Sequence, residues 1–196
     1  SLLGLIQPTI KLSVLGTRLT ESDSSEIHNV LEPLRRQFSA EGTYLIEADG
    51  IIRIHDTEGS LSEGLNVGFR PYFKQAMAGR TSVYAAVGKQ TQSRGLYYAA
   101  PVHEGTLRSS PVIGVVMTKI DAAFLDALLS ASGSQGVLLS PQGVAFAATR
   151  PDWLFAMTPP ADAGRVDTIR RLGRFGHLFD ARAPALLPFS PAQEAA

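Results

Sequence analysis

Five short strand-like segments between residues 43 and 120 constrain the fold of this chain more than any other feature. They are rich in β-branched and aromatic residues, which fit a pleated, half-buried surface. Asp49-Gly50 separates the first two segments and is typical of a two-residue hairpin turn, because glycine tolerates a positive φ. The sequence therefore predicts a sheet whose strands cover residues 43–48, 51–55, 82–87, 95–102 and 112–120.

The segment before this sheet has the periodicity of a helix. Apolar residues recur every four positions at Leu2, Ile6, Ile10 and Val14. A second apolar face of helical spacing covers residues 27–38, and the polar run at residues 22–25 predicts a break between two helices. We therefore expect an N-terminal helical stalk over residues 1–41.

Two further helices are predicted inside and after the sheet. The first covers residues 69–79, with Pro71 in its first turn and Gly79 at its end. Asp121 follows the last strand and is predicted to cap the second helix, because its carboxylate can accept from the free amides of a helix start. Asp126 is then expected on the exposed face of that helix.

The C-terminal part of the chain repeats the strand–turn–strand pattern on a smaller scale. A second hairpin is predicted over residues 136–149, and a short helix over residues 162–172. This weak internal repeat indicates two α+β units. The predicted division is a larger unit over residues 42–131 and a smaller one over residues 132–196.

Charge and composition exclude several classes of function. Eighteen Lys and Arg balance eighteen Asp and Glu, so the chain lacks the cationic surplus that neutralises nucleic-acid phosphates. The absence of cysteine excludes disulfides, thiolate metal sites and cysteine catalysis. The four histidines lack metal-ligand spacing, and neither a nucleotide-binding fingerprint nor a nucleophile–base set is evident. We predict no catalytic residue, no metal and no cofactor.

One set of polar residues stands out against this background. Arg70 lies at the start of the predicted helix beside Tyr72, and Thr91 and Ser93 lie in a polar loop before the fourth strand. Lys119 ends an otherwise apolar strand, where a cation is costly unless it is paired.

These residues admit two interpretations from their chemistry alone. In the structural one, Lys119 pairs with Asp121 or extends its ammonium to solvent, and Arg70 bonds nearby carbonyls. In the functional one they form a pocket for a small anion. Arg70 would clamp a carboxylate through two hydrogen bonds, Lys119 would add a point charge, and hydroxyls would donate further hydrogen bonds.

Several motifs of the chain resemble a known family. They are Asp49-Gly50, Gly-x-Asn-x-x-Phe-Arg-Pro-Tyr-Phe over residues 64–73, Tyr97-Tyr98, and Val-x-x-Lys-Ile-Asp over residues 116–121. Together they resemble the extracytoplasmic double-Cache (tandem PAS-like) sensor domains. The similarity is strongest to the sensor half of bacterial C4-dicarboxylate sensor histidine kinases, and it covers almost the whole chain.

The resemblance implies an α+β fold with a long N-terminal helix region and two PAS-like units, each an antiparallel sheet with flanking helices and loops. It implies a periplasmic domain of a bacterial inner-membrane protein, with membrane spans outside this sequence and a homodimer formed through the N-terminal helices. The larger unit would be membrane-distal and would bind the ligand, and the smaller one membrane-proximal.

The resemblance also implies a dicarboxylate ligand in the distal unit. The family's ligand-binding positions correspond here to Arg70, Thr91, Ser93 and Lys119, with Tyr72 close by. Val67 departs from the pattern, because the family carries a tyrosine there that contacts ligand. The loss of that phenol leaves open a smaller ligand such as a monocarboxylate, while the two cations favour an organic acid.

Two alternatives remain open from the sequence. The domain could bind an amino acid or another small ligand on a diguanylate cyclase or a chemoreceptor. That reading needs an acceptor for an ammonium, for which Asp121 is the candidate. The domain could also be a dimerisation module that binds no ligand.

Overall fold

Two compact units make up the computed structural model of this chain, which describes residues 21–37, 39–57, 63–88, 91–104, 107, 109–182 and 185–190. The first unit contains the described residues up to Tyr84, together with Leu96–Ile120. The second contains the described part of Ala85–Gly95 and the described residues from Asp121 onwards. The boundary therefore falls within three strands, and the division at residue 131 stays a prediction.

Five strands form the main sheet, in the order β2-β1-β5-β4-β3. Their bounds are β1 Gly42–Glu47, β2 Ile52–Thr57, β3 Ser82–Val87, β4 Arg94–His103 and β5 Val112–Asp121. All five predicted strands are therefore confirmed, with ends shifted by at most two residues. The first strand lies inside the sheet, between β2 and β5, and pairs antiparallel with both.

The register of β1 against β5 places Gly42 opposite Lys119 and Leu45 opposite Val116. Because side chains alternate along a strand, these two pairs lie on opposite faces of the sheet. One face therefore carries Lys119, and the other carries a hydrophobic surface.

Helix α1, Glu21–Gln37, covers the hydrophobic face. Ile27, Leu31 and Leu34 are buried in one apolar cluster with side chains from the sheet, which are Leu45, Ile54, Val102 and Val116. The predicted break at residues 22–25 is wrong, because α1 is continuous through them. Burial of the apolar face stabilises the helix more than local propensity opposes it. The predicted helix over residues 1–20 lies outside the described residues.

A short helix, α2 Pro71–Met77, lies between β2 and β3. It begins two residues later than predicted, because Arg70 is extended and Pro71 occupies the first helical turn. Tyr72, Phe73 and Ala76 are its buried side chains.

The second unit is built around a two-stranded antiparallel sheet. The predicted hairpin is present as β6 Val137–Leu139 and β7 Ala145–Ala148, and the predicted C-terminal helix as α4 Ala163–Leu172. Asp162 caps α4 by accepting a hydrogen bond from the Arg165 amide. The helices of this unit are α3 Ala123–Ala131, the 3-10 turn Pro151–Trp153, α4 Ala163–Leu172 and α5 Gly176–Asp180. Among the described helices of the chain, none is long and apolar enough to cross a membrane.

The two carboxylates around the start of α3 have different roles. Asp121 is exposed and accepts a hydrogen bond from the Ala123 amide at 2.9 Å, close to the predicted cap. The expectation that Asp126 lies on an exposed face is wrong. Its carboxylate pairs with the Arg94 guanidinium and accepts from the Ala148 amide at 3.0 Å. Asp126 therefore ties α3 to β7 and to the start of β4.

Gly50 in the β1–β2 turn provides a test of this fold. Its φ is +83°, and a Cβ there would lie 2.5 Å from the Gly68 Cα, which is backbone and cannot move aside cheaply. We expect Gly50→Ala to lower the free energy of unfolding by about 3 kcal/mol or more, from left-handed strain and overpacking together. Chemical denaturation monitored by circular dichroism measures this loss.

Gly79→Ala is the matched control. Gly79 has a φ of +78°, but its Cβ would have no atom within 4 Å. Gly79→Ala should therefore lower the free energy of unfolding by only about 1 kcal/mol, from left-handed strain alone. Equal losses at the two positions would show that the contact between Gly50 and Gly68 does not matter.

Candidate functional site

The loop before α2 holds Arg70 in place by docking on the β1–β2 turn. The Val67 amide donates to the Gly50 carbonyl at 2.8 Å, and the Asn66 side chain accepts from the Gly68 amide at 2.9 Å. The Arg70 amide then donates to the Val67 carbonyl at 2.9 Å. These hydrogen bonds account for the Gly-x-Asn-x-x-Phe-Arg motif over residues 64–70, because the loop they form lies close against Gly50.

Arg70 is buried although it carries a charge. Its residue is 7% exposed, and its guanidinium lies 5.2 Å from the centre of the Phe69 ring. The backbone at Arg70 is extended, and the side chain makes no capping hydrogen bond to α2. A guanidinium held in this way is suited to a planar carboxylate, which it can bind through two parallel hydrogen bonds.

Three tyrosines surround the start of α2. The Tyr72 ring stacks on Tyr97 with centres 5.3 Å apart and an angle of 1° between the planes. Tyr84 lies against Tyr72 with ring centres 6.0 Å apart. All three residues are buried. Tyr72 was predicted as a site residue, whereas Tyr84 was missed and Tyr97 was noted only as part of a motif.

Burial raises the pKa of both stacked phenols. Desolvation is the largest cause at Tyr72 and at Tyr97, and the charge of Arg70 opposes it in both. The carboxylate of Glu41 raises the pKa of Tyr97 further. Both hydroxyls therefore stay protonated at neutral pH and can donate hydrogen bonds.

Lys119 is buried in an ion pair that the sequence did not predict. Its side chain is 3% exposed, and its Nζ donates to the Glu41 Oε1 at 2.6 Å. The structural interpretation, in which Lys119 pairs with Asp121 or extends to solvent, is therefore wrong in both forms. Glu41 immediately precedes β1, and only the pairing of β1 with β5 brings it to Lys119.

Tyr44 shares the sheet face of Lys119. A Cβ on Gly42 would lie 2.5 Å from the Tyr44 hydroxyl oxygen, so the phenol covers that glycine. Gly42 faces Lys119 across the strand pair. Tyr44 also raises the pKa of Tyr72 and of Tyr97.

The structure brings together part of the predicted site. Arg70, Tyr72 and Lys119 all lie in the first unit, where Tyr72 stacks on Tyr97 and Lys119 pairs with Glu41. Val67 is buried in the loop that carries Arg70. Thr91 and Ser93 belong to the second unit, where the Ser93 hydroxyl donates to the Thr91 hydroxyl at 2.9 Å.

The arrangement suits binding rather than catalysis. Two cations, one carboxylate and several protonated phenols supply hydrogen bonds for a small polar molecule. Among the residues that the structure describes, no group of three or more His, Cys, Asp or Glu could hold a metal ion.

The raised pKa of the two stacked tyrosines predicts that the folded chain loses stability at alkaline pH. Since their pKa is raised in the folded state, the unfolded chain loses its tyrosine protons first, above pH about 10. Stability should therefore fall as pH rises from about 10, by about 1.4 kcal/mol per pH unit for each phenol that only the folded state keeps protonated. Thermal unfolding between pH 8 and 11 measures this slope.

Tyr72→Phe and Tyr97→Phe should each make the alkaline slope shallower. Tyr98→Phe is the control, because Tyr98 is 41% exposed on the same strand as Tyr97. If the three variants all kept the wild-type slope, burial of Tyr72 and Tyr97 would not govern the alkaline response.

Comparisons with known proteins connect this geometry to a family. No family model matches the chain. The chain is 31% identical over 144 residues to the C4-dicarboxylate transport sensor protein DctB of Pseudomonas aeruginosa, an alignment that covers 72% of this chain and 23% of that protein. It spans about a quarter of the length of the curated relatives that it matches.

Solved structures agree with the sequence match. The sensor domain of the Vibrio cholerae histidine kinase DctB superposes with a TM-score of 0.74 at 26% identity, covering 87% of this chain and 66% of that one. The ligand-binding domain of the Campylobacter jejuni chemoreceptor Tlp3, in complex with 4-methylisoleucine, has the same fold with a TM-score of 0.58 at 16% identity. That alignment covers 82% of this chain and 65% of the receptor domain.

The mixed fold of helices and antiparallel strands thus matches that of the DctB sensor domain. The chain belongs to the periplasmic Cache (PAS-like) sensor domains represented by that of the histidine kinase DctB.

Proposed function

We propose that this chain binds a small organic acid in its first unit and that it is the sensor domain of a membrane-anchored histidine kinase. The observation that carries the proposal is the buried Arg70, which directly precedes the helix whose Tyr72 stacks on Tyr97. A guanidinium presents parallel N–H donors that match a planar carboxylate, so a site of this kind favours an anionic ligand. The names of the relatives make a C4-dicarboxylate the first class to test.

Each site residue has a proposed role. Arg70 binds one carboxylate of the ligand through two hydrogen bonds, and the protonated Tyr72 hydroxyl donates to it. Lys119, in the same unit, supplies the second positive charge. Val67 stands where the similar family carries a ligand-contacting tyrosine, so one hydrogen bond to a ligand carboxylate is lost, which is compatible with a smaller ligand such as a monocarboxylate.

An amino acid is the second candidate, because a chemoreceptor domain of the same fold is known in complex with 4-methylisoleucine. Asp121 does not favour this candidate, since its carboxylate is exposed and accepts from the Ala123 amide. The amino acid reading therefore needs another acceptor for the ammonium.

The signal would travel through α1. Ligand binding on one face of the sheet would shift the strands on whose other face Leu31 packs. Binding can shift a conformational equilibrium only if the ligand prefers one state. We propose that α1 helices of two protomers pair, and that the second unit is the membrane-proximal PAS-like module.

Calorimetric titration with succinate, malate, malonate and acetate tests the site. We expect Arg70→Ala to weaken binding about 30-fold or more, because a charge-assisted bidentate contact is lost. Arg36→Ala is the matched control, since the Arg36 side chain is 73% exposed on α1. Unchanged affinity in the Arg70 variant would overturn the site.

A thermal-shift screen of organic acids and amino acids tests the ligand class. A ligand at about a hundredfold excess over its dissociation constant should stabilise the chain by about 2.7 kcal/mol. Stabilisation by organic acids but not by amino acids supports the proposal. A chain that no compound stabilises would be a module without a small-molecule ligand.

A further inference from the structure

Phe69 places a large apolar side chain at the surface, directly beside a buried cation. The residue is 48% exposed, whereas Arg70, the next residue in the chain, is 7% exposed. The guanidinium carbon of Arg70 lies over the Phe69 ring, 5.2 Å from its centre. This distance is within the range of about 6 Å over which the negative face of an aromatic ring attracts a cation. The ring is therefore in contact with the group to which the proposed function assigns the ligand carboxylate.

The backbone holds the two side chains next to each other. The Arg70 amide donates to the Val67 carbonyl at 2.9 Å, so residues 67–70 form a four-residue turn in which Phe69 is the third residue. The Val67 amide donates to the Gly50 carbonyl at 2.8 Å, which ties this turn to the β1–β2 turn. Both hydrogen bonds join backbone atoms. A change of the Phe69 side chain therefore leaves them in place.

Packing on α2 does not explain a phenylalanine at this position. An apolar residue directly before the N-cap of a helix often packs on the fourth helical residue. Arg70 is the N-cap of α2, so the fourth helical residue is Lys74, which is charged and exposed. Contact with the Arg70 guanidinium accounts for the ring better than helix packing does.

A guanidinium can bind an aromatic ring and a carboxylate at the same time. The ring attracts the cation through its face, and the N–H donors of the guanidinium remain available to oxygen acceptors. The ring also restricts the orientation of the planar group, so less side-chain freedom is lost when a ligand binds. It excludes water from one side of the cation, which strengthens the hydrogen bonds that the cation makes.

We propose that Phe69 is a positioning residue that holds the Arg70 guanidinium ready for a ligand carboxylate. The proposal rests on the proposed function, which places that carboxylate on Arg70. Phe69 acts through this single contact, which monocarboxylates and dicarboxylates share. It therefore strengthens the binding of both by a similar factor, and it sets the affinity of the site and not its choice among acids.

Four variants separate the ring from its bulk and from its exposure. Phe69→Leu keeps an apolar side chain and removes the ring, whereas Phe69→Trp keeps an aromatic face. Arg70→Lys keeps the positive charge and removes the planar group. Phe124→Leu is the matched control, because Phe124 is 62% exposed on α3 in the second unit. Circular dichroism and thermal unfolding establish that each variant is folded.

Calorimetric titration of the whole chain with succinate, malate, malonate and acetate measures the effect. We expect Phe69→Leu to weaken every acid that binds by a similar factor of about five. Phe69→Trp should keep the wild-type affinity within about twofold, and Phe124→Leu should keep it unchanged. In the Arg70→Lys background, Phe69→Leu should cost less than in the wild-type chain, because an ammonium has no plane to orient.

Nuclear magnetic resonance detects the contact without any ligand. The ring current of Phe69 should shift the Nε–Hε resonance of Arg70, which is assigned by its loss in Arg70→Lys. Phe69→Leu should move this resonance toward the position typical of a solvated arginine, and Phe124→Leu should leave it in place. A resonance that Phe69→Leu does not move would overturn the contact.

The titrations distinguish this inference from the proposed function. If Arg70→Ala abolishes binding but Phe69→Leu keeps or increases the wild-type affinity, Phe69 does not position Arg70. Equal losses in Phe69→Leu and Phe69→Trp also overturn the inference, because the aromatic face would then not matter. If none of the four acids binds, or if Arg70→Ala leaves their binding unchanged, the proposed function fails, and this inference fails with it.

Discussion

The pairing of β1 with β5 is the contact on which the rest of the first unit depends. It joins the first strand of the sheet to the last, across more than 70 residues of chain, and sets Gly42 opposite Lys119. A shift of one residue would turn every side chain of β1 to the other face. Leu45 would then leave the apolar cluster under α1, and Tyr44 would leave the site. Contacts on both faces of the sheet, the hydrophobic one and the polar one, thus fix the register of β1 against β5.

Local sequence patterns were enough to predict the elements of this unit. Glycine and proline mark their ends, and β-branched residues fill β5, so strand positions agree within two residues. The polar run at residues 22–25 led to a wrong prediction of a break between two helices, because its local preference against a helix is weak. Burial of Ile27, Leu31 and Leu34 against the sheet outweighs it, and this burial depends on tertiary contacts that a local window does not contain.

The candidate site was predictable only where its residues share a motif. Arg70 and Tyr72 lie in one loop and helix, and the resemblance to Cache domains identifies both. Glu41 belongs to no motif, because its role arises from strand register and not from its neighbours in sequence. An isolated glutamate before a strand is most simply a solvated residue. The buried Lys119 was the available signal, since a cation in an apolar strand requires an anion.

The same strand pair connects the site to α1. Lys119 and Val116 are three residues apart on β5, so they lie on opposite faces, one beside Glu41 and the other in the cluster under α1. Tyr44 and Leu45 divide β1 in the same way. A change at the Glu41–Lys119 pair therefore acts on strands that α1 contacts directly, and no further element is needed between the site and the helix.

The neutral total charge of the chain conceals this arrangement, because a buried pair and a buried guanidinium contribute little to a sum over 36 charged residues.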